Sequence, residues 1–184
     1  MLQDSSYLRV DQLQAGHRVH GGATVTCVLV TMVEDAVVVR LGADNGCALT
    51  SYHPVCVDGQ WAFPKDLAAP EIISACTLYN FVLDRQHTLV VNGVTACTLA
   101  HDMRGAVIGH PYFGAREASQ RNILDDLSLS PGYAAGRVVW EGVTVRRDPA
   151  TDFIVKLAPK RDVSVHKHES AVAMHAEPAS AAAV

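Results

Sequence analysis

Two residues with complementary chemistry follow a predicted strand at short spacing. The segment LTSYHPV contains Thr50 and His53, three positions apart and followed by a proline. An imidazole beside a hydroxyl suits acyl chemistry on a backbone amide, because the amide nitrogen is a poor leaving group that must be protonated. The hydroxyl can hold the same peptide or help to stabilise the oxyanion. Thr50 and His53 are therefore candidate catalytic residues acting on a peptide bond.

The T-x-x-H spacing is a weak signal when it stands alone. A second copy occurs at Thr98 and His101. A histidine at a strand end with its hydrogen bonds satisfied accounts for either copy without any chemistry. The pair has to be judged from the elements that position it.

Short strands separated by turn signals fill the first hundred residues. Apolar, β-branched runs predict strands at 24–32, 36–41, 47–50, 55–57, 72–83, 88–91 and 94–99. We expect a hairpin turn at Val33-Glu34-Asp35 and tight turns at Asp58-Gly59 and Asn92-Gly93. Strands of this length and spacing indicate an all-β fold.

The C-terminal part has a different character. The run from Arg116 to Leu129 predicts the one convincing helix, and Arg137–Trp140 with Val143–Val145 predict a last hairpin through Glu141-Gly142. From about Lys160 onward the sequence becomes charged and alanine-rich, which predicts a disordered tail. The helix is expected to bury one face, formed by Ala118, Ile123, Leu124 and Leu127.

Composition narrows the classes of partner. The net charge is −4 and no basic stripe is interleaved with aromatics, so we expect no nucleic-acid partner. No apolar run reaches the ~20 residues that span a bilayer, and no secretory signal opens the chain. Five cysteines without a C-x-x-C pair predict neither a zinc site nor a disulfide framework. We expect a cytoplasmic protein with reduced, mostly buried thiols, no metal and no cofactor.

Several blocks together resemble one family. LTSYHPVCVDGQWAFPKDL followed by LYNFVLDRQHTLVVNGV resembles the two central blocks of Hint (hedgehog/intein) domains in order and spacing. DSSYLRVDQLQAGHRV resembles the stretch near the start of these domains, with His17 where they usually have Asp. CTLAHDMRGAVIGHPYFG, with VTVRRDPATDFIV beyond it, resembles the Vint subgroup found behind von Willebrand A domains. The resemblance covers about Ser5 to Val155.

The resemblance implies a fold, a division of the chain and site residues. The fold would be a compact β disk at 1–103, a Vint-type extension with a short helix and hairpin at 104–158, and the disordered tail at 159–184. His53 would activate the scissile amide, with Thr50 as its neighbour. Asn80 stands where many members carry Asp, and its amide cannot titrate, which argues against an acid–base role. His101 would lie near the site, although a loop histidine without a role is an equal alternative.

One departure limits the activity that the resemblance implies. Hint chemistry starts with a Cys or Ser as the first residue of the domain, expected about a dozen positions before Ser5, and no cysteine precedes Cys27. No His-Asn pair stands near Cys97, so splicing is not expected.

Three interpretations therefore stay open. The first is an autoprocessing domain that forms a thioester with its own N-terminal flank, such as a von Willebrand A domain, and is inactive in this truncated form. The second is a degenerate Hint fold that binds proteins. The third is an unrelated β-rich intracellular domain.

Overall fold

The computed structural model describes residues 1–42, 46–114 and 121–160. Over this part of the chain strands dominate, and the predicted all-β class is confirmed. One helix, α1 (Ile123–Ser128), and three single 3-10 turns (Val10–Gln12, Pro64–Asp66 and Tyr133–Ala135) complete it. The strands are β1 (Val25–Leu41), β2 (Cys47–Thr50), β3 (Val55–Val57), β4 (Gln60–Ala62), β5 (Pro70–Leu83), β6 (Thr88–Val91), β7 (Val94–Cys97), β8 (Arg137–Glu141), β9 (Val143–Arg147) and β10 (Ile154–Pro159).

A long antiparallel ladder between β1 and β5 forms the centre of the fold. The hairpin predicted at Val33-Glu34-Asp35 is wrong, because β1 runs through these residues without a turn. Across the ladder, Asp35 faces Ser74 and accepts a 2.6 Å hydrogen bond from its hydroxyl. A two-residue hairpin turn needs residues that adopt positive φ readily, and the Val-Glu-Asp segment has none of the glycine that favours it.

The two faces of the ladder bury two separate cores. The ladder register shifts between Val25 and Cys27, so a bulge places Val25 on the same face as Val28. Cys27 lies on the opposite face, in the second core. The first core contains Leu13, Val19, Ala23, Val25, Val28, Val30, Phe81, Leu83 and Leu89. The second contains Cys27, Leu29, Val82, Leu99, Tyr112, Ile123, Leu127, Val138 and Trp140.

A second sheet has the strand order β4-β3-β7-β6. Its two hairpins are closed by Asp58-Gly59 and Asn92-Gly93, which confirms both predicted turns. All four residues have positive φ, between 48° and 81°. This is the conformation of a type I′ turn, whose twist matches that of the flanking strands.

The predicted last hairpin is wrong in its pairing. β8 lies parallel to β1, and β9 pairs with β10 instead of β8. Gly142 lies between β8 and β9 with φ of 81°, and its N–H donates to the Met32 carbonyl at the end of the parallel pairing. Trp140 and Val138 on β8 are completely buried against the second core, and that burial outweighs a local hairpin.

α1 begins at Ile123, and the two described residues before it, 121 and 122, are not helical. Asn122 has extended backbone and accepts a hydrogen bond from the Leu124 N–H, while the Asp125 side chain accepts one from the Asn122 N–H. This capping box fixes the first residue of α1 at Ile123. Ile123 and Leu127 are buried as predicted, and Leu124 partly so. The predicted helical residues 116–120, with Ala118, lie outside the described residues.

The division at residue 103 stays a prediction. The second core takes Leu99 from before it and Tyr112, Ile123 and Trp140 from after it, so one core is shared across that position. The predicted tail lies outside the described residues from 161 onward.

Candidate functional site

The T-x-x-H segment connects the two sheets. Thr50 ends β2, in the sheet of the long ladder, and Val55 begins β3 in the second sheet. The Thr50 carbonyl accepts a 2.9 Å hydrogen bond from the His53 N–H, which closes a tight turn between them. The short spacing therefore places the imidazole at the junction of the sheets, and the turn sets its position relative to Thr50.

A cavity of about 360 Å³ opens beside this turn. Thr50, His53 and Asn80 all line it, so the structure brings together three of the four predicted site residues. Asn80 reaches it from β5, where it faces Leu29 of β1 across the ladder. The Thr50 side chain is half-buried, and within the described ranges it has no hydrogen-bond partner.

His53 is held by a backbone carbonyl from another strand. Its Nε2 lies 2.9 Å from the carbonyl oxygen of Cys97, at the end of β7. A carbonyl only accepts hydrogen bonds, so Nε2 must carry the proton and the neutral ring has a bare Nδ1. Burial lowers the pKa of His53, and the hydrogen bond to the Cys97 carbonyl opposes that shift only in part. At neutral pH the side chain is thus a neutral base with its acceptor nitrogen fixed.

The fourth predicted residue, His101, lies apart from this cavity. It is 3% exposed, does not line the cavity, and packs against Gly114. Burial lowers its pKa, and His87, His110 and His53 act in the same direction. His101 is therefore within electrostatic reach of His53 without facing the same space.

Cys97 and Cys47 line the cavity and were not predicted as site residues. Their backbone positions follow from strand pairing, and their sequence context shows only apolar strands. Burial raises the pKa of both thiols, and that of Cys97 to about 12. Both are consequently protonated thiols at neutral pH, which makes them poor nucleophiles. Cys27 is likewise buried, and Cys56 and Cys76 are partly exposed.

The N-terminal segment lies next to the same site. The Met1 ammonium group donates a 2.9 Å hydrogen bond to the Val90 carbonyl on β6, and burial lowers its pKa. A second cavity of about 360 Å³ contains Met1 and adjoins the first. The residues that line both are Val10, Tyr79, Leu89, Val91 and Asn92. The cavity that contains Met1 and the cavity lined by His53 therefore share part of their walls.

Two further findings concern the described residues only. No three of their His, Cys, Asp or Glu side chains are grouped so as to hold a metal ion. None of their helices has the length and apolar character needed to cross a membrane.

A long two-stranded ladder with a buried core on each face, and a T-x-x-H turn between two sheets, define a β domain of the Hint class. The chain belongs to the Vint family, whose sequence profile is described as a Hint-domain and matches residues 1–156. This is the family that the sequence blocks indicated, and it makes the chain a domain of autoprocessing type. No curated protein matches the chain in sequence.

Proposed function

We propose that this domain cleaves a peptide bond in its own polypeptide through a thioester, with a cysteine supplied by a segment that precedes Met1. The substrate is then the upstream flank of the same chain, for which the Vint resemblance suggests a von Willebrand A domain. The observation that carries the proposal is the 2.9 Å contact between His53 Nε2 and the Cys97 carbonyl, in a cavity shared with Thr50 and Asn80.

The bare Nδ1 of His53 suits both halves of the reaction. It takes the proton from the attacking thiol, and the sulfur then forms a bond to the carbonyl carbon of the preceding residue. The resulting imidazolium returns the proton to the amide nitrogen as the C–N bond breaks. This step gives a thioester and a free amine on the same cysteine, and the proton has moved from sulfur to nitrogen. An external thiol such as dithiothreitol then attacks the thioester carbonyl, which releases the flank as a new thioester and returns the cysteine as a thiol.

Thr50 and Asn80 suit the stabilisation of the intermediate. A hydroxyl and a side-chain amide both donate hydrogen bonds without titrating. Donors that are already in place where negative charge develops stabilise an oxyanion without reorganising. We assign the oxyanion contacts to these two side chains, and the acid–base role to His53 alone.

The cavity that contains Met1 supports the idea that the substrate segment reaches the site from the N-terminal side. Residues placed before Met1 would start at the Val90 carbonyl on β6, an edge strand of the described second sheet. The two adjoining cavities provide the space between that point and His53. The 184 residues by themselves place only protonated, buried thiols at the site, so we expect this polypeptide alone not to cleave.

The test is a fusion that supplies the missing thiol. The full chain is extended upstream by a strand that begins with Cys and is preceded by a reporter, and cleavage is followed by intact-mass spectrometry with and without dithiothreitol. We expect thiol-dependent release of the reporter. His53→Ala should slow it by about 10²-fold or more, the usual scale for removing a general acid–base.

Two matched variants separate chemistry from folding. His20→Ala removes an exposed histidine and should leave the cleavage rate unchanged. Cys97→Ala should also leave it largely intact, because the Cys97 carbonyl remains. Loss of cleavage in Cys97→Ala, or cleavage of the unextended chain, would show that a thiol of the chain itself is the nucleophile. A folded fusion that never cleaves would contradict the proposal and favour the protein-binding interpretation.

A further inference from the structure

Three exposed side-chain donors lie close together around one buried glycine, Gly22. The three nearest atoms to the position of a Cβ on Gly22 are Gln3 Nε2 at 3.8 Å, Arg85 Nη2 at 3.9 Å and Arg18 Nη2 at 4.0 Å. All three are nitrogens, and two belong to guanidinium groups. Two like charges are thus brought close together beside Gly22.

The backbone beneath these donors is fixed. The Gln3 N–H donates to the Arg18 carbonyl, and Arg18 itself bridges to Thr24. Gly22 is buried and has φ of 86°, a conformation that side chains rarely adopt. The donors therefore project from three chain segments whose relative positions are set by backbone hydrogen bonds.

The positive charge is only partly offset by neighbouring groups. Within the described residues neither Arg18 nor Arg85 forms an ion pair, and Arg85 donates only to the Gly22 carbonyl. The adjacent carboxylate, Asp84, accepts a 2.7 Å hydrogen bond from the Thr24 N–H and also interacts with the charge of Arg85, so Arg18 is the guanidinium without a carboxylate partner among the described residues. Two guanidinium groups and an amide, carried on three chain segments, match an acceptor whose negative charge is spread over several oxygens.

We propose that Gln3, Arg18 and Arg85 form a binding site for a tetrahedral oxyanion of the phosphate or sulfate type above Gly22. The ligand is either the free ion or the same group carried on a partner. Because the arginines are exposed, the affinity of the free ion is expected in the millimolar range and to weaken with salt. The site is separate from the His53 cavity, since none of the three residues lines it.

The test is a titration of the full chain with inorganic phosphate at constant ionic strength, followed through the ¹⁵N-labelled amide of Gly22. We expect a saturable shift with phosphate and with sulfate, and little with acetate. Arg18→Gln should weaken binding by about tenfold or more, the scale of one hydrogen bond to a charged group. Arg146→Gln, an exposed arginine on β9, is the matched control and should bind as the parent does.

Two results of the titration would overturn the proposal of an oxyanion site. A shift that does not saturate, or that is equal in Arg18→Gln and Arg146→Gln, would indicate an adventitious ion only. An equal response to acetate would reassign the site to carboxylates. If Arg18→Gln fails to fold, Arg85→Lys, which keeps the charge and loses the planar fork, should still weaken phosphate binding. A phosphopeptide and its unphosphorylated form then distinguish a ligand carried on a partner from the free ion.

Discussion

The Nε2 atom of His53 lies 2.9 Å from the carbonyl oxygen of Cys97, although the two residues are 44 positions apart in the chain. This contact decides which ring nitrogen carries the proton, because a carbonyl oxygen can only accept a hydrogen bond. The Cys97 side chain contributes no reactive thiolate, because burial raises its pKa to about 12. Its backbone carbonyl is the group that holds the His53 ring.

The tautomer of His53 can be measured directly. We expect the neutral ring to be protonated at Nε2, because a carbonyl oxygen can only accept. Long-range ¹H–¹⁵N correlation spectra of the labelled chain at pH 7.5 should show a protonated Nε2 and a bare Nδ1 for this residue. A spectrum with Nδ1 protonated would contradict the assignment of His53 Nδ1 as the base.

Stability should depend on pH through three histidines whose pKa is lowered in the native state. Burial lowers the pKa of His53, His101 and His110, so the native state holds fewer protons than the unfolded chain below about pH 6.5. Stability is then complete above that pH and is lost as pH falls toward the lowered values, by at most about 1.4 kcal/mol per pH unit for each histidine. Urea unfolding at pH 7.5, 6.5 and 5.5 measures the free energy of unfolding at each pH. His101→Gln should make this free energy depend less steeply on pH. A constant free energy of unfolding over this pH range would contradict the predicted loss of stability at low pH.

Tyr112 should anchor the C-terminal part to the second core. Its hydroxyl donates to the buried Asp126 carboxylate at 2.6 Å and accepts from the Leu157 N–H at 2.8 Å. Tyr112→Phe leaves both partners short of one hydrogen bond, and we expect a loss of about 1–3 kcal/mol in urea unfolding. Tyr133→Phe is the matched control, because that hydroxyl has no hydrogen-bond partner within the described residues, and should change stability by less than about 0.5 kcal/mol. Equal losses would mean that the Tyr112 network contributes nothing of its own.

An upstream strand should stabilise the domain. β6 is an edge of the described second sheet, and unpaired edges are sites of self-association. A segment added before Met1, where the ammonium group meets the Val90 carbonyl, would cover part of that edge. We expect a higher melting temperature and less self-association for the extended chain than for the 184 residues, by calorimetry and light scattering. Equal melting temperatures would remove the basis for this expectation.

Local sequence predicted the features that depend on neighbouring residues. Asn92-Gly93 and Asp58-Gly59 form the expected turns, because asparagine, aspartate and glycine reach positive φ at low cost. The T-x-x-H segment follows a strand as predicted, because β2 ends at Thr50. The family blocks depend on order and spacing along the chain, and the Vint match confirms them.

Contacts between distant segments decided the rest. β1 continues through Val33-Glu34-Asp35 because β5 pairs with it throughout, and β8 lies beside β1 because Trp140 is buried there. Such choices depend on cross-strand pairing and on burial, which no window of neighbouring residues contains. The hydrogen bond between His53 and the Cys97 carbonyl also depends on contacts between distant segments. Its sequence neighbours specify an imidazole in a turn, and only the packing of β7 against β3 supplies the carbonyl that orients it.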